Sequence, residues 1–178
     1  MLESSAGYCN NRKLYSTSNG PVSESATIVP YGVNRTSYRF GGYVRVFTTT
    51  SHASLTCHRA TVDLYTTSSA GNGNKQLTTP IGLITVDELL FAGHGNADSN
   101  TKASTQSFLN TGSDWWTMSP GSRDGVPNIS AWFLDYRSGN AGMEPTKNSK
   151  GVRPVISIKR GTAIKSGSGT ATDPWIVE

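Results

Sequence analysis

Three histidines, two cysteines and twelve acidic residues are the side chains of this 178-residue chain with the best claim to chemistry, and their spacing argues against it. His52, His58 and His94 stand in no HExxH-like relation to one another or to a carboxylate, as a zinc site or metal-assisted base would require. His94, between Gly93 and Gly95, reads as an exposed loop residue. An enzymatic alternative would need a cleft near His94 and Asp135, yet no nucleophile, base and orienting group fall at a meaningful spacing there. The run Ala70-Gly71-Asn72-Gly73-Asn74-Lys75 continues into Gln76 instead of a Ser/Thr helix start, so it reads as a turn and not as a phosphate-binding loop. Cys9 and Cys57 are too far apart for a CxxC metal or redox motif. They either close a long loop with a disulfide, which suits an oxidising compartment, or stand as two separate buried thiols. The expectation is a non-enzymatic protein without catalytic residues, metal or cofactor.

Binding is the chemistry that remains. Trp115-Trp116-Thr117-Met118-Ser119-Pro120-Gly121 and Gly151-Val152-Arg153-Pro154-Val155-Ile156 are apolar anchors on either side of a polar, glycine-studded stretch. That stretch carries Trp132, Tyr136 and Arg137, the residue types that give large contact areas with few rotors at binding hot spots. The net charge of +4 would attract an acidic partner, but the basic residues are scattered, and nucleic-acid binding needs a concentrated stripe. No apolar run is long enough to span a bilayer, so no membrane insertion is expected. The start Met1-Leu2-Glu3-Ser4-Ser5 lacks the charged and apolar regions of a signal peptide. Residues 1–178 are expected to form one ligand-binding domain of a longer protein.

The elements that would hold such a surface follow from composition and period. With 35% hydrophobic and 16% charged residues the chain is neither a helical bundle nor a charged disordered protein, and it reads as short strands joined by long loops. A short strand or turn is expected at Tyr8–Arg12, and a half-buried strand over Ser37–Thr49 interrupted by a bulge or turn at Gly41-Gly42. Further strands are expected at Ser54–Thr56, Val62–Thr66 and Ile81–Ile84. Thr85 followed by Glu88 is a capping box that opens a helix Val86–Ala92, which buries Leu89, Leu90 and Phe91 and stops at Gly93. Phe108-Leu109-Asn110 returns to the core. Trp115–Pro120, Ala131–Arg137 and Gly151–Ile158 complete the strands. Arg153, inside an apolar stretch, must reach a carboxylate or carbonyls if buried. A turn at Gly167–Pro174 leads to a closing strand that would bring both chain ends onto one sheet.

Several blocks taken together have a family likeness. Pro80-Ile81-Gly82-Leu83-Ile84-Thr85-Val86-Asp87-Glu88, Trp115–Pro120, Gly151–Ile156 and Gly167–Val177, with a weaker likeness at Tyr8-Cys9-Asn10-Asn11-Arg12, resemble a bacterial domain family of C-type-lectin-like fold. Members occur in surface or secreted proteins and among the variable proteins of diversity-generating retroelements, and are distantly similar to formylglycine-generating enzymes. The resemblance implies an α+β fold of small antiparallel sheets, one or two short helices and long loops. It implies a bacterial or phage surface, or extracellular, location and a protein or glycan ligand. Carried onto this chain it implies ligand contact through residues 121–150, by Ser122, Arg123, Asp124, Asn128, Trp132, Tyr136, Arg137, Asn140, Glu144 and Asn148. Trp116 and Arg153 belong on this view to the scaffold. The chain departs from calcium-dependent lectins, since Glu144-Pro145-Thr146 is its nearest approach to their Glu-Pro-Asn triplet and it has no Trp-Asn-Asp. It departs from formylglycine-generating enzymes because its cysteines lie in the first third of the chain.

Overall fold

The computed structural model describes residues 2–10, 12, 14–16, 38–47, 53–57, 60–68, 73–95, 107–123, 129–170 and 172–178. The elements run β1 (Tyr8–Cys9), β2 (Leu14–Ser16), β3 (Tyr38–Phe40), α1 (Gly41–Phe47), α2 (Ala60–Asp63), β4 (Leu64–Tyr65), β5 (Ile81–Leu83) and α3 (Val86–Phe91). They continue with β6 (Trp115–Arg123), β7 (Ile129–Leu134), β8 (Ala141–Pro145), β9 (Gly151–Val152), β10 (Pro154–Ile156), β11 (Ile164–Ser166) and β12 (Ile176–Val177). Among the described residues this is a mixed α+β architecture of small, mainly antiparallel sheets with three short helices.

The central sheet has the order β2-β3-β6-β7-β8. One edge of β6 pairs with β7. Its other edge is shared by β3, opposite Arg123 and Ser122, and by β9, which runs parallel opposite Trp115 and Trp116. β6 was expected to end at Pro120, but it continues to Arg123. Proline cannot donate to the ladder, and the register against β7 shifts on both sides of it, so the irregularity absorbs the missing N–H. Three two-stranded sheets surround the centre: β1 with β4, β5 with β10, and β11 with β12.

Trp115, Trp132, Leu134 and Ala141 project from one face of this sheet and pack against Val86 and Leu89 of α3 and against Leu109. Tyr43 and Val46 of α1 close over the same cluster. Burying side chains of this size contributes about 1.5–3 kcal/mol each, so this face is where the fold gains most of its stability. The opposite face carries Trp116 and Phe133, directly paired across β6 and β7 with rings in edge contact at 6.0 Å. Trp132, Phe133 and Leu134 are therefore all buried, because both faces of β7 are covered.

Residues 41–47 correct the expected long strand. β3 ends at Phe40 and a helix begins at Gly41, the site of the expected bulge; Ser37 and Thr48-Thr49 lie outside the described residues. A short aromatic and β-branched run is ambiguous between the two periods. Tertiary packing decides in favour of the helix: a Cβ at Gly42 would come within 2.8 Å of Val86 Cγ1, so glycine is what allows α1 to lie this close to α3. Once helical, Tyr43 and Phe47 sit one turn apart and stack at 4.4 Å. Arg45 reaches back to Asp87, its Nη2 donating to Oδ2 at 2.6 Å.

Ser54–Thr56 forms no strand, and the strand expected at Val62–Thr66 is α2 followed by the two residues of β4. The strand expected at Gly151–Ile158 is split at Arg153 into β9 and β10. Arg153 Nη1 donates to the Leu109 carbonyl at 2.9 Å and its guanidinium lies 5.3 Å from the Trp115 ring centre. The carbonyl partner demanded by its apolar surroundings is thus present. The closing strand does not unite the chain ends. β12 pairs with β11, whereas Leu2 bridges Ile158.

α3 follows its expected start closely. The Thr85 hydroxyl accepts from Glu88 N and the Glu88 carboxylate accepts from Thr85 N, so both halves of the capping box are present. At the other end Gly93 takes φ +87°, its N–H donates to Leu90 O, and His94 N–H donates to Leu89 O. That pair of bonds is a Schellman termination, which glycine permits without strain. Phe91 departs from expectation, standing exposed on the solvent side of this short helix.

Cys9 and Cys57 form a disulfide that closes a loop of sequence separation 48. Among the described residues no helix is long and apolar enough to cross a membrane.

Candidate binding surface

The strand expected over Ala131–Arg137 stops at Leu134, and residues 136–138 make a turn back into β8. That turn is built by Asp135. Its Oδ1 accepts from Arg137 N–H at 2.9 Å, its Oδ2 from the Ser138 hydroxyl at 2.8 Å, and its backbone carbonyl from Gly139 N–H. Burial pushes the Asp135 carboxyl up, but these hydrogen bonds and the Arg137 charge outweigh it and hold the group below the usual carboxylate range. The turn presents Tyr136 and Arg137 side by side, Arg137 Nε donating to the Tyr136 hydroxyl at 3.0 Å. The same hydrogen bond keeps the guanidinium raised above its ordinary value.

From this turn a continuous polar strip runs along the rim of the Trp116–Phe133 face. Tyr136 N–H donates to Asp114 Oδ1 at 3.2 Å, and Asp114 Oδ2 accepts from Lys150 Nζ at 2.9 Å. Lys150 Nζ also lies 3.2 Å from Glu144 Oε2, which accepts from Asn148 Nδ2 at 2.8 Å. The ammonium stands 3.6 Å from the Phe133 ring centre and 5.7 Å from that of Trp116. The amine is thus held between two carboxylates and against two aromatic rings.

Of the ten residues expected at a ligand, Tyr136, Arg137, Glu144 and Asn148 come together on this strip. Asn140 lies within the turn, its N–H donating to the Ser138 hydroxyl at 3.2 Å and its carbonyl accepting from Asp135 N–H. Arg123 sits at the far end of β6, opposite Tyr38 and Ile129. Ser122 is buried, with its N–H donating to the Ser130 hydroxyl at 2.7 Å. Trp132 is 1% exposed in the core cluster and has no surface to offer a ligand. Asp124 and Asn128 lie outside the described residues. The 121–150 segment is therefore not one loop: β7 and β8 fill much of it, and their inward side chains are scaffold.

Asp114 and Lys150 were missed, and the half-buried Trp116, expected in the scaffold, borders the same strip. Asp114 and Lys150 flank the two anchors immediately outside β6 and β9, and the signal that unites them is the parallel pairing of Trp115 with Gly151, which nothing in local sequence announces.

His94 corrects the expectation of an exposed loop residue. It is fully buried, and Nδ1 donates to the Gly139 carbonyl at 2.7 Å, the only role compatible with a carbonyl acceptor. Ala141 N–H donates to Gly95 O beside it. His94 and Asp135 thus organise two sides of the same turn. His52 and His58 lie outside the described residues, and among those described no group of three His, Cys, Asp or Glu is placed to hold a metal ion. Compared with known protein families, curated proteins and solved structures, the chain matches none.

Proposed function

We propose that this chain is a non-enzymatic recognition domain of C-type-lectin-like type, acting at a cell or phage surface and binding a protein or glycan through the strip that runs from Arg137 to Asn148. The observation that carries the reading is the coming together of Tyr136, Arg137, Glu144 and Asn148 with Trp116 around the Lys150 side chain. An aromatic ring with carboxylate, amide and guanidinium groups at its rim offers a stacking surface and hydrogen bonds of both polarities, which suits a sugar ring or an extended polar peptide. The rim is held by strands and a hydrogen-bonded turn, so little ordering cost falls on association. The disulfide supports an oxidising environment. Retroelement diversification would act on the exposed rim residues, since a change at Trp132 or Ser122 would disturb the core.

The test is a triple variant, Trp116→Ala with Tyr136→Ala and Arg137→Ala, screened beside the unaltered chain on printed glycans and purified bacterial surface proteins. Binding should fall by tenfold or more, about 1.4 kcal/mol, while far-UV circular dichroism stays unchanged. Undiminished binding by the folded variant would remove the site from this strip.

A further inference from the structure

The Lys150 side chain is only 6% exposed and its amine is committed to two carboxylates at once, 2.9 Å from Asp114 Oδ2 and 3.2 Å from Glu144 Oε2. Each partner is held by a different part of the fold. The parallel register of Trp115 with Gly151 sets residues 114 and 150 abreast at the mouths of β6 and β9, and Gly151 N–H donates to the Asp114 carbonyl at 2.9 Å. Tyr136 N–H holds Asp114 Oδ1, the oxygen turned away from the amine. Asn148 Nδ2 holds the Glu144 oxygen that faces it. Phe133 and Trp116 wall the amine on its apolar side.

This is more than an ion pair needs. The Lys150 amine is withdrawn from water, and the cost of burying its charge disappears if it becomes a neutral amide, while the Asp114 and Glu144 side chains, 30% and 37% exposed, leave a path open for released water. We infer that Lys150 and Asp114 condense to an intramolecular isopeptide bond, with Glu144 as the proton carrier. Glu144 takes a proton from the ammonium and passes it to Asp114 Oδ2, and the freed Nζ lone pair attacks Cγ of the now neutral acid. The tetrahedral oxyanion forms on Oδ1, where Tyr136 N–H already donates. Glu144 then carries a second nitrogen-bound proton to Oδ2, the Cγ–Oδ2 bond breaks as the Oδ1 carbonyl re-forms, and Oδ2 leaves as water. An ammonium and a carboxylate are consumed, and one secondary amide and one water are produced. No oxidant or cofactor enters. Fixed groups react at effective concentrations that reach roughly 10⁵ M or more, which drives a condensation that separate molecules in water would not complete.

The bond would have a structural purpose. Beyond Lys150 many apolar side chains lack burial: Val152, Ile156, Ile158, Ile164, Trp175 and Ile176 are exposed. Only two residues of β9 pair with β6 where this segment leaves the core. A covalent link from residue 114 to residue 150 would clamp the segment at its root.

The measurement is the intact mass of the full chain, disulfide reduced and denatured, followed by proteolysis. The unaltered protein should be lighter than its sequence by one water molecule and should yield a branched peptide joining Asp114 to Lys150. Lys150→Arg and Asp114→Ala should each restore the full sequence mass. Glu144→Gln should slow formation about a hundredfold, the size of a lost acid–base contribution. Full sequence mass in an unaltered chain whose circular dichroism and disulfide show it folded would overturn the inference. So would a one-water deficit that persists in Lys150→Arg, because it would mark a cyclised aspartate instead.

Discussion

Asp135 shows how much one carboxylate can organise. Three of its hydrogen bonds shape the turn that displays Tyr136 and Arg137, and those that reach the carboxylate, from Ser138 and Arg137, hold its folded-state ionisation below that of a free aspartate. A depressed carboxylate contributes stability that is fully present above the unfolded value, near 3.9, and is lost as pH falls through the lower folded value. Asp135→Asn should therefore lower stability at neutral pH and flatten the acid limb below about pH 4, measured by urea unfolding across pH. An unchanged acid limb would assign that limb to other carboxylates. At the same turn His94→Ala would remove the donor to Gly139 and leave a cavity in the core, so a loss of about 2–4 kcal/mol is expected by denaturant titration. An exposed histidine would cost nothing measurable. The inward placement of His94 was legible in principle: glycine at the end of a helix forecasts a Schellman termination, and the residue after that glycine commonly packs back on the last turn.

Elements defined by local chemistry were readable, and those defined by packing were not. The start of α3 needs only Thr85 and Glu88 to find each other within one turn, and the sequence displays both. Thr85→Ala should accordingly lower stability by about 1 kcal/mol through loss of the cap, with thermal unfolding as the readout. An effect below a few tenths would mean that contacts to Ser119, whose hydroxyl accepts from Val86 N–H, already fix the helix start. α1 is the opposite case. Its residues alternate as a strand would, and tertiary contacts such as the close approach of Gly42 to Val86 and the pairing of Arg45 with Asp87 select the helix. Arg45 and Asp87 are both nearly buried, so removing one leaves the other charged without its partner. Arg45→Ala should cost about 3–5 kcal/mol by urea unfolding, and a loss under 1 kcal/mol would show that water reaches Asp87. The surface strip was half legible for the same reason. Tyr136, Arg137, Glu144 and Asn148 lie in one stretch, whereas Asp114 and Lys150 meet across a parallel pairing.

At the scale of the whole molecule, the described N-terminal residues are tied to the rest by specific contacts. β1 and β4 share two paired residues, Arg12 Nε donates to the fully buried Asp63 at 2.7 Å, and Tyr8 donates its hydroxyl to Pro80 O at 3.0 Å over Gly82. The Cys9–Cys57 disulfide fastens this corner to residues 53–57, where Ser54 N–H donates to Asp87 Oδ1 and so reaches the helix layer. Closing a loop of this length restricts the unfolded chain by about 3–4 kcal/mol in the loop-entropy account. The double variant Cys9→Ser with Cys57→Ser should lose about that much in urea unfolding. It should also open first around β1, so amide exchange should quicken at residues 8–10 and 53–57 before it does in β6 and β7. Uniform quickening through the central sheet would instead make the corner part of one cooperative unit with the core. The polar strip draws its order from β6, β7 and β8, so it should keep its structure when the corner opens.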